Sequence, residues 1–294
     1  MNPTRADNLR GAAWMLAASV GYAAVNAMVK ELNGDLPPVV ITFSRAVFGV
    51  LALLPVFLVR GFGIFRTSRP GLHMLRVCGS FGNLTLGFYA FSHLPLATAT
   101  ALSFTQPLFM ILLAAFVMGE VVRWRRGLAT LAGFFGVVIM LGPSGLALNL
   151  AALAGLGAAA SQAVAYGVIR HRSAEDGALT ILAWFTAGLL VLSAPPALMF
   201  WKTPEGMQWL YLAFIGLVLT TVQFCLIKAF RLAEATVVNP VDYARLIFSA
   251  VLGYFLFQEV PTVWTVVGAI LIVAATLYIL FREARNRLAS RASP

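Results

Sequence analysis

Ten apolar stretches, each close to the length of one bilayer crossing, follow one another through this chain, at about residues 12–29, 36–59, 72–91, 96–118, 127–141, 150–169, 178–200, 207–230, 236–257 and 263–281. A helix needs about 20 apolar residues to cross the hydrocarbon core. In lipid only helices or closed barrels satisfy their own backbone. The pattern therefore predicts an all-α integral membrane protein with ten transmembrane helices. With 60% of residues hydrophobic and 11% charged, against about a quarter charged in soluble domains, no room remains for a soluble catalytic domain. The short polar opening and the lack of a small-residue cleavage site point to a retained first helix rather than a signal peptide. Cys78 and Cys225 fall inside apolar segments as small core residues, and neither a disulfide, a metal site nor a cofactor follows from them.

A net charge of +10 could serve nucleic acid, but its distribution has a simpler cause. Arg5 and Arg10 precede the first span, Arg60, Arg66, Arg69 and Arg76 lie between or beside spans two and three, and Arg123, Arg125 and Arg126 follow span four. Arg170 and Arg172 follow span six, Arg231 follows span eight, and Arg282, Arg285, Arg287 and Arg291 follow span ten, whereas only Lys30 and Lys202 lie at the opposite face. This is the positive-inside asymmetry of a multi-pass protein. It predicts an inner (plasma) membrane location with both termini in the cytoplasm, Arg66, Arg125 and Arg172 inside, and Leu146 and Gly206 outside. The expected partners are the lipid bilayer and a small-molecule substrate, with no nucleic acid, and a monomer is expected.

The chain also repeats at a steady offset. Ala17-Ala18-Ser19 recurs as Ala159-Ala160-Ser161, Pro55 as Pro195, Leu94 with Ala97-Thr98 as Leu232 with Ala235-Thr236, and Glu120 as Glu259. Nearly constant spacing argues for two five-helix repeats, residues 8–143 and 144–285, followed by a basic cytoplasmic tail at 286–294. Five spans per half is odd, so the second half inserts upside down relative to the first. Inverted repeats of this kind belong to secondary transporters, whose site lies near the midplane between halves.

The stretch Phe88-Tyr89-Ala90-Phe91-Ser92-His93-Leu94-Pro95-Leu96-Ala97-Thr98-Ala99-Thr100-Ala101-Leu102, then Gln106-Pro107-Leu108-Phe109 and Gly119-Glu120, resembles the first-half signature of EamA-type transporters in the drug/metabolite transporter superfamily. The second half is similar, with Ala235-Thr236, Tyr243-Ala244-Arg245-Leu246, Phe257-Gln258-Glu259-Val260-Pro261 and Gly268. Gln258 departs from the glycine often found there. The resemblance spans the whole chain and is nearest, by overall similarity, to exporters of aromatic amino acids. It implies export of small amphiphilic metabolites by alternating access, with another small metabolite or a proton-coupled cationic drug as the alternative cargo.

Polar residues within spans sort by helical spacing, since i, i+3, i+4 and i+7 share a face. Ser19, Tyr22 and Asn26 form such a stripe on span one, Ser80, Asn83 and Gly87 on span three, and Thr100, Ser103 and Gln106 on span four. Gln162 and Tyr166 follow on span six, Thr220 and Gln223 on span eight, and Asp242, Arg245 and Ser249 on span nine. Any one stripe is equally served by hydrogen bonds between packed helices. Six on related spans point to a central cavity, with spans two and seven outside it and five and ten behind. The candidate substrate-binding residues are Tyr22, Asn26, Asn83, Ser103, Gln106, Gln162, Tyr166, Gln223, Asp242, Arg245 and Arg45.

Charge inside a membrane is costly and a functional candidate by default. Lys228 lies near a span end and can snorkel. Asp242 and Arg245 are three apart, which suits either an ion pair or substrate contact. Arg45, deep in span two, could grip a carboxylate bidentately or hold carbonyls freed near a proline. Pro107 and Pro240 interrupt spans four and nine, corresponding helices of the two halves, and are candidate hinges. The small-residue patterns Ala129-x-x-x-Gly133 and Gly157-x-x-x-Ser161 predict close helix contacts.

Enzyme chemistry finds no footing. His73, His93 and His171 are scattered near span ends, and there is no H-E-x-x-H, no G-x-S-x-G and no pair of intramembrane carboxylates. Asp242 is the sole acidic residue well inside a span, and Arg245 one turn away favours its charged form. Facilitated diffusion without a proton carrier is therefore expected.

Overall fold

A computed structural model of the chain describes residues 5–32, 34–116, 124–141, 149–172, 178–233 and 235–292. Among these the structure is helical with no strand: α1 (Arg5–Glu31), α2 (Pro38–Arg60), a 3₁₀ turn (Gly61–Phe65), α3 (Pro70–His93), α4 (Leu96–Ser103), α5 (Gln106–Phe116), α6 (Trp124–Leu141), α7 (Leu150–Arg172), α8 (Ala178–Met199), α9 (Met207–Leu232), α10 (Ala235–Asp242), α11 (Ala244–Phe257) and α12 (Val263–Ala292). Proline opens α2 and α3 at the first helical turn, where its missing N–H has no intrahelical partner to lose.

The surface is inverted relative to a protein folded in water. Val59, Phe116, Met199 and Val263 stand exposed on the outside, while Ala18, Ala23, Ala46, Ala101, Ala163 and Ala229 fill the inside. Small residues let helix backbones approach, which is how association is driven where the surroundings are as apolar as the side chains. At the α3–α7 seam Gly79 lies so close to Ser161 that a Cβ there would fall 2.8 Å from the Ser161 carbonyl oxygen. At the α6–α12 seam a Cβ on Gly268 would fall 2.5 Å from the Gly136 carbonyl oxygen. The close contacts expected of Gly133 and Ser161 are present, against Leu108 and Ala275 and against Gly79 and Gly82 respectively.

Seven helices are long and apolar enough to cross a membrane: Asp7–Glu31, Pro38–Arg60, Leu96–Phe116, Leu179–Met199, Met207–Leu232, Val237–Phe257 and Val263–Arg282. Three of the ten expected spans do not reach that standard. The described apolar parts of α6 and α7 cover Gly127–Leu141 and Leu150–Ala165, and α3 carries Arg76, Ser80, Asn83 and Thr85 among its apolar residues. Helices packed into neighbours through glycine and serine need less lipid-grade hydrophobicity than those facing lipid.

Spans four and nine are both interrupted. The first is split between α4 and α5 at Phe104-Thr105, the second between α10 and α11 at Tyr243. Pro107 lacks the N–H that would bond the Ser103 carbonyl and its ring would crowd that carbonyl, so α4 ends at Ser103. The turn tightens through i→i−3 bonds, Phe104 N–H to Ala101 at 3.1 Å and Thr105 N–H to Leu102 at 3.0 Å, and the Thr105 and Ser103 hydroxyls donate to the Leu102 and Thr100 carbonyls. Tyr243 N–H bonds Pro240 O at 3.3 Å in the same i→i−3 manner. The breaks therefore fall three residues before Pro107 and three after Pro240. Phe104 and Tyr243 are 139 positions apart in the sequence, the repeat offset.

Candidate substrate site

The two breaks meet. The rings of Phe104 and Tyr243 pack against each other at 4.6 Å between centroids, and the Tyr243 hydroxyl donates to Thr276 of α12 at 2.7 Å. A helix break leaves side chains and backbone polar groups at one level, and around this crossing the polar residues of several helices converge. Arg245, in the first turn of α11, donates through Nη2 to the Ser103 hydroxyl of α4 at 3.3 Å. Its Cζ lies 4.7 Å from the Phe104 ring and 5.0 Å from the Tyr22 ring of α1. Asp242 at the end of α10 lies 3.7 Å from Arg245 Nη2 and accepts a 3.4 Å bond from the Ser19 hydroxyl. One turn further along, Thr100 donates to Ser249 at 2.8 Å, sealing α4 to α11.

The chemistry available is a guanidinium held between two aromatic faces beside a carboxylate. The pair is loose, at the far limit of ion-pair contact, and Asp242 keeps 28% of its side chain accessible. Arg245 Nε is buried without a hydrogen-bond partner. Both charges thus retain capacity for a ligand that carries opposite charges of its own.

Of the sequence candidates, Tyr22, Ser103, Asp242 and Arg245 come together here. Asn26 is buried on α1, and Gln106, Gln162 and Gln223 are half-buried on α5, α7 and α9, none with a hydrogen bond to another described residue. Asn83 donates to the Ala158 carbonyl at 3.0 Å and so ties α3 to α7. Arg45 lies apart, in the α2–α8 seam over the Phe185 ring. The Tyr166 side chain and Glu120 lie outside the described residues. Lys228 is exposed beside Phe224, as its snorkelling position requires.

Sequence reasoning did not reach Phe104, because an aromatic residue in an apolar span carries no pattern of its own; its one signal is the 139-residue offset to Tyr243. Nor did it join Lys30 to Glu259. Lys30 at the end of α1 pairs with Glu259 at 2.5 Å and donates to the Leu94 carbonyl, while Glu259 accepts the Leu96 N–H at 2.8 Å. The carboxylate thereby caps the N-terminus of α4, where negative charge is favoured, and one end of the central helices is tied shut. Two open grooves flank α12, an almost wholly apolar one beside Tyr243 and Leu246 and a more mixed one beside Trp124, Leu128 and Tyr278. Among the described residues no group of three His, Cys, Asp or Glu side chains gathers to hold a metal.

A chain whose described residues are all helical, with seven bilayer-length helices among them, an apolar exterior and a polar crossing of broken helices inside, is a multi-pass membrane protein. The sequence profile of the EamA-like transporter family matches residues 9–142 and again 149–281, and the chain belongs to that family of small-molecule transporters. It is 33% identical to an S-adenosylmethionine uptake transporter of Rickettsia prowazekii over 97% of each chain. It is 29% identical to a riboflavin transporter of Vibrio cholerae over 95% of each. It is also 33% identical to the pseudopaline exporter CntI of Pseudomonas aeruginosa over 88% of this chain and 92% of that one. A solved structure with 23% identity superposes at a TM-score of 0.60 over 95% of this chain and 98% of that one, which shows the fold.

Proposed function

We propose that the protein is an alternating-access carrier of small zwitterionic metabolites that combine an amino-acid group with an aromatic or heteroaromatic body, bound at the Phe104–Tyr243 crossing. The observation that carries this reading is Arg245 clamped between the Tyr22 and Phe104 rings with the loosely held Asp242 beside it. The rings offer stacking surface and Asp242 offers a partner for an amino group. Amino acids with aromatic side chains fit this description, and so does S-adenosylmethionine, the named cargo of the Rickettsia relatives. Riboflavin and pseudopaline, named for other relatives, mark the alternative of a different small metabolite.

The carrier is proposed as ten spans in two inverted repeats, 8–143 and 144–285, in the inner membrane with both termini cytoplasmic. The double match of the family profile supports the two halves, and the 139-residue register of the two breaks supports their correspondence. Pro107 and Pro240 flank those breaks as hinges. Transport runs down the substrate gradient without proton coupling, because Asp242 faces the Arg245 guanidinium; in a cell accumulating the metabolite the net direction is export. A screen of labelled solutes into proteoliposomes tests the reading. Saturable movement of tryptophan, phenylalanine or S-adenosylmethionine is expected, unchanged chemically. Transport confined to compounds with no amino-acid group would overturn it.

A further inference from the structure

Among the described residues no carboxylate balances the buried charge at Arg45. Arg45 lies seven residues into α2, is 4% exposed, and its Nε is enclosed without a hydrogen bond. Its contact is with an aromatic face, the Phe185 ring of α8, 4.9 Å from Cζ. Arg76 of α3 approaches the same ring at 5.6 Å. Asp242, the one acidic side chain well inside a span, is engaged by Ser19 and Arg245, and no described carboxylate pairs with Arg45. A cation–π contact uses none of the five N–H donors of a guanidinium. Buried arginines in membranes are otherwise paired, and a lone one disfavours the state that buries it.

Tyr22 connects this junction to the candidate substrate site. The tyrosine packs on the same buried cluster as Ile41 and Phe48, one turn either side of Arg45 on α2, and is also the ring that Arg245 covers. One guanidinium balances one negative charge, and its planar fork matches a carboxylate. We infer that Arg45 is an anion subsite that takes the carboxylate of the transported molecule, resting on the reading of the cargo as an amino-acid zwitterion. The substrate supplies the missing counter-charge, and the closed arrangement around Phe185 is favoured only when that charge is present. A zwitterion is thereby selected over an amine of the same body.

The test uses the full chain in phosphatidylcholine nanodiscs at constant ionic strength, with benzoate and benzylamine as probes. Benzoate is expected to raise the Tm of the wild type, benzylamine not, and Arg45→Gln to abolish the benzoate shift. Arg45→Lys keeps the charge without the fork, so its benzoate affinity is expected to fall about tenfold; it decides the matter if the glutamine variant does not fold. Equal benzoate protection in wild type and both variants overturns the subsite. Stabilisation through Arg45 by phosphatidylglycerol nanodiscs, with benzoate inert, overturns it in favour of a lipid headgroup. S-adenosylmethionine is expected to bind about a hundredfold more tightly than its decarboxylated form, a preference that collapses in Arg45→Gln. Failure of the wild type to bind either compound, or any aromatic amino acid, contradicts the proposed cargo and leaves the benzoate comparison to decide Arg45.

Discussion

Arg245 is the residue on which the candidate site turns, because it touches α1, α4 and α10 through Tyr22, Ser103 and Asp242. Its spacing from Asp242 was legible in the sequence as an i,i+3 pair, and Tyr22 and Ser103 were legible as members of polar stripes. What spacing could not separate was cavity lining from helix glue: Asn83 has the same stripe signature and spends its amide on the Ala158 carbonyl. That distinction depends on which neighbour a helix face meets. The proposal of uncoupled transport is tested at this scale too. Asp242 faces the Arg245 guanidinium at 3.7 Å, so Asp242→Asn is expected to weaken substrate affinity while leaving the ratio of transport rates with and without a pH gradient unchanged. A wild-type rate that rises severalfold with an imposed gradient, and a variant that loses the rise, would identify Asp242 as a proton carrier.

At the scale of elements, backbone contact sets the tolerances. At Gly268 a Cβ would meet the Gly136 carbonyl oxygen and the Met140 Cβ, both at 2.5 Å, neither the flexible end of a side chain. Gly268→Ala is expected to cost about 1–3 kcal/mol, read as a lower Tm in detergent. The end of α11 shows the opposite case. Gln258 adopts φ 56° and ψ 31°, with its N–H on Tyr254 and the Glu259 N–H on Gly253, a left-handed helix end closed by a 5→1 bond, where glycine is usual. The departure from the family glycine therefore leaves the helix end intact at Phe257 and carries a left-handed strain of about 1 kcal/mol. Gln258→Gly is expected to raise stability by about that amount, and no change or a loss would show that the side chain contributes a compensating contact. The interruptions of spans four and nine were foreseeable from Pro107 and Pro240; their placement at Phe104 and Tyr243 was not, since hydroxyl bonds and ring packing choose where the turn tightens.

For the whole molecule, the membrane class and the family were written in hydrophobic segment length and in the motifs around Pro95 and Glu259, because lipid imposes a strong, local demand on sequence. Hydropathy is a poorer guide to helices buried among others, and α3, with Arg76, Ser80, Asn83 and Thr85 along it, falls short of span quality while still packing in the bundle. Orientation is proposed from the arginine loops. Cysteines introduced at Leu146 and Gly206 are expected to react with impermeant thiol reagents from outside, and those at Thr67 and Arg125 to be protected. The reverse pattern would remove the inverted repeat from the account.

The central claim is that cargo binds at the crossing of the two broken helices, and counterflow tests it most directly. Proteoliposomes preloaded with unlabelled S-adenosylmethionine or tryptophan, at equal pH on both sides, should accumulate the labelled compound transiently through the wild-type protein. Arg245→Gln, matched to the wild type in Tm, is expected to lower that counterflow at least about tenfold through loss of charge-assisted contacts. Counterflow of a folded Arg245→Gln protein at the wild-type rate and affinity would place the site elsewhere and contradict the account.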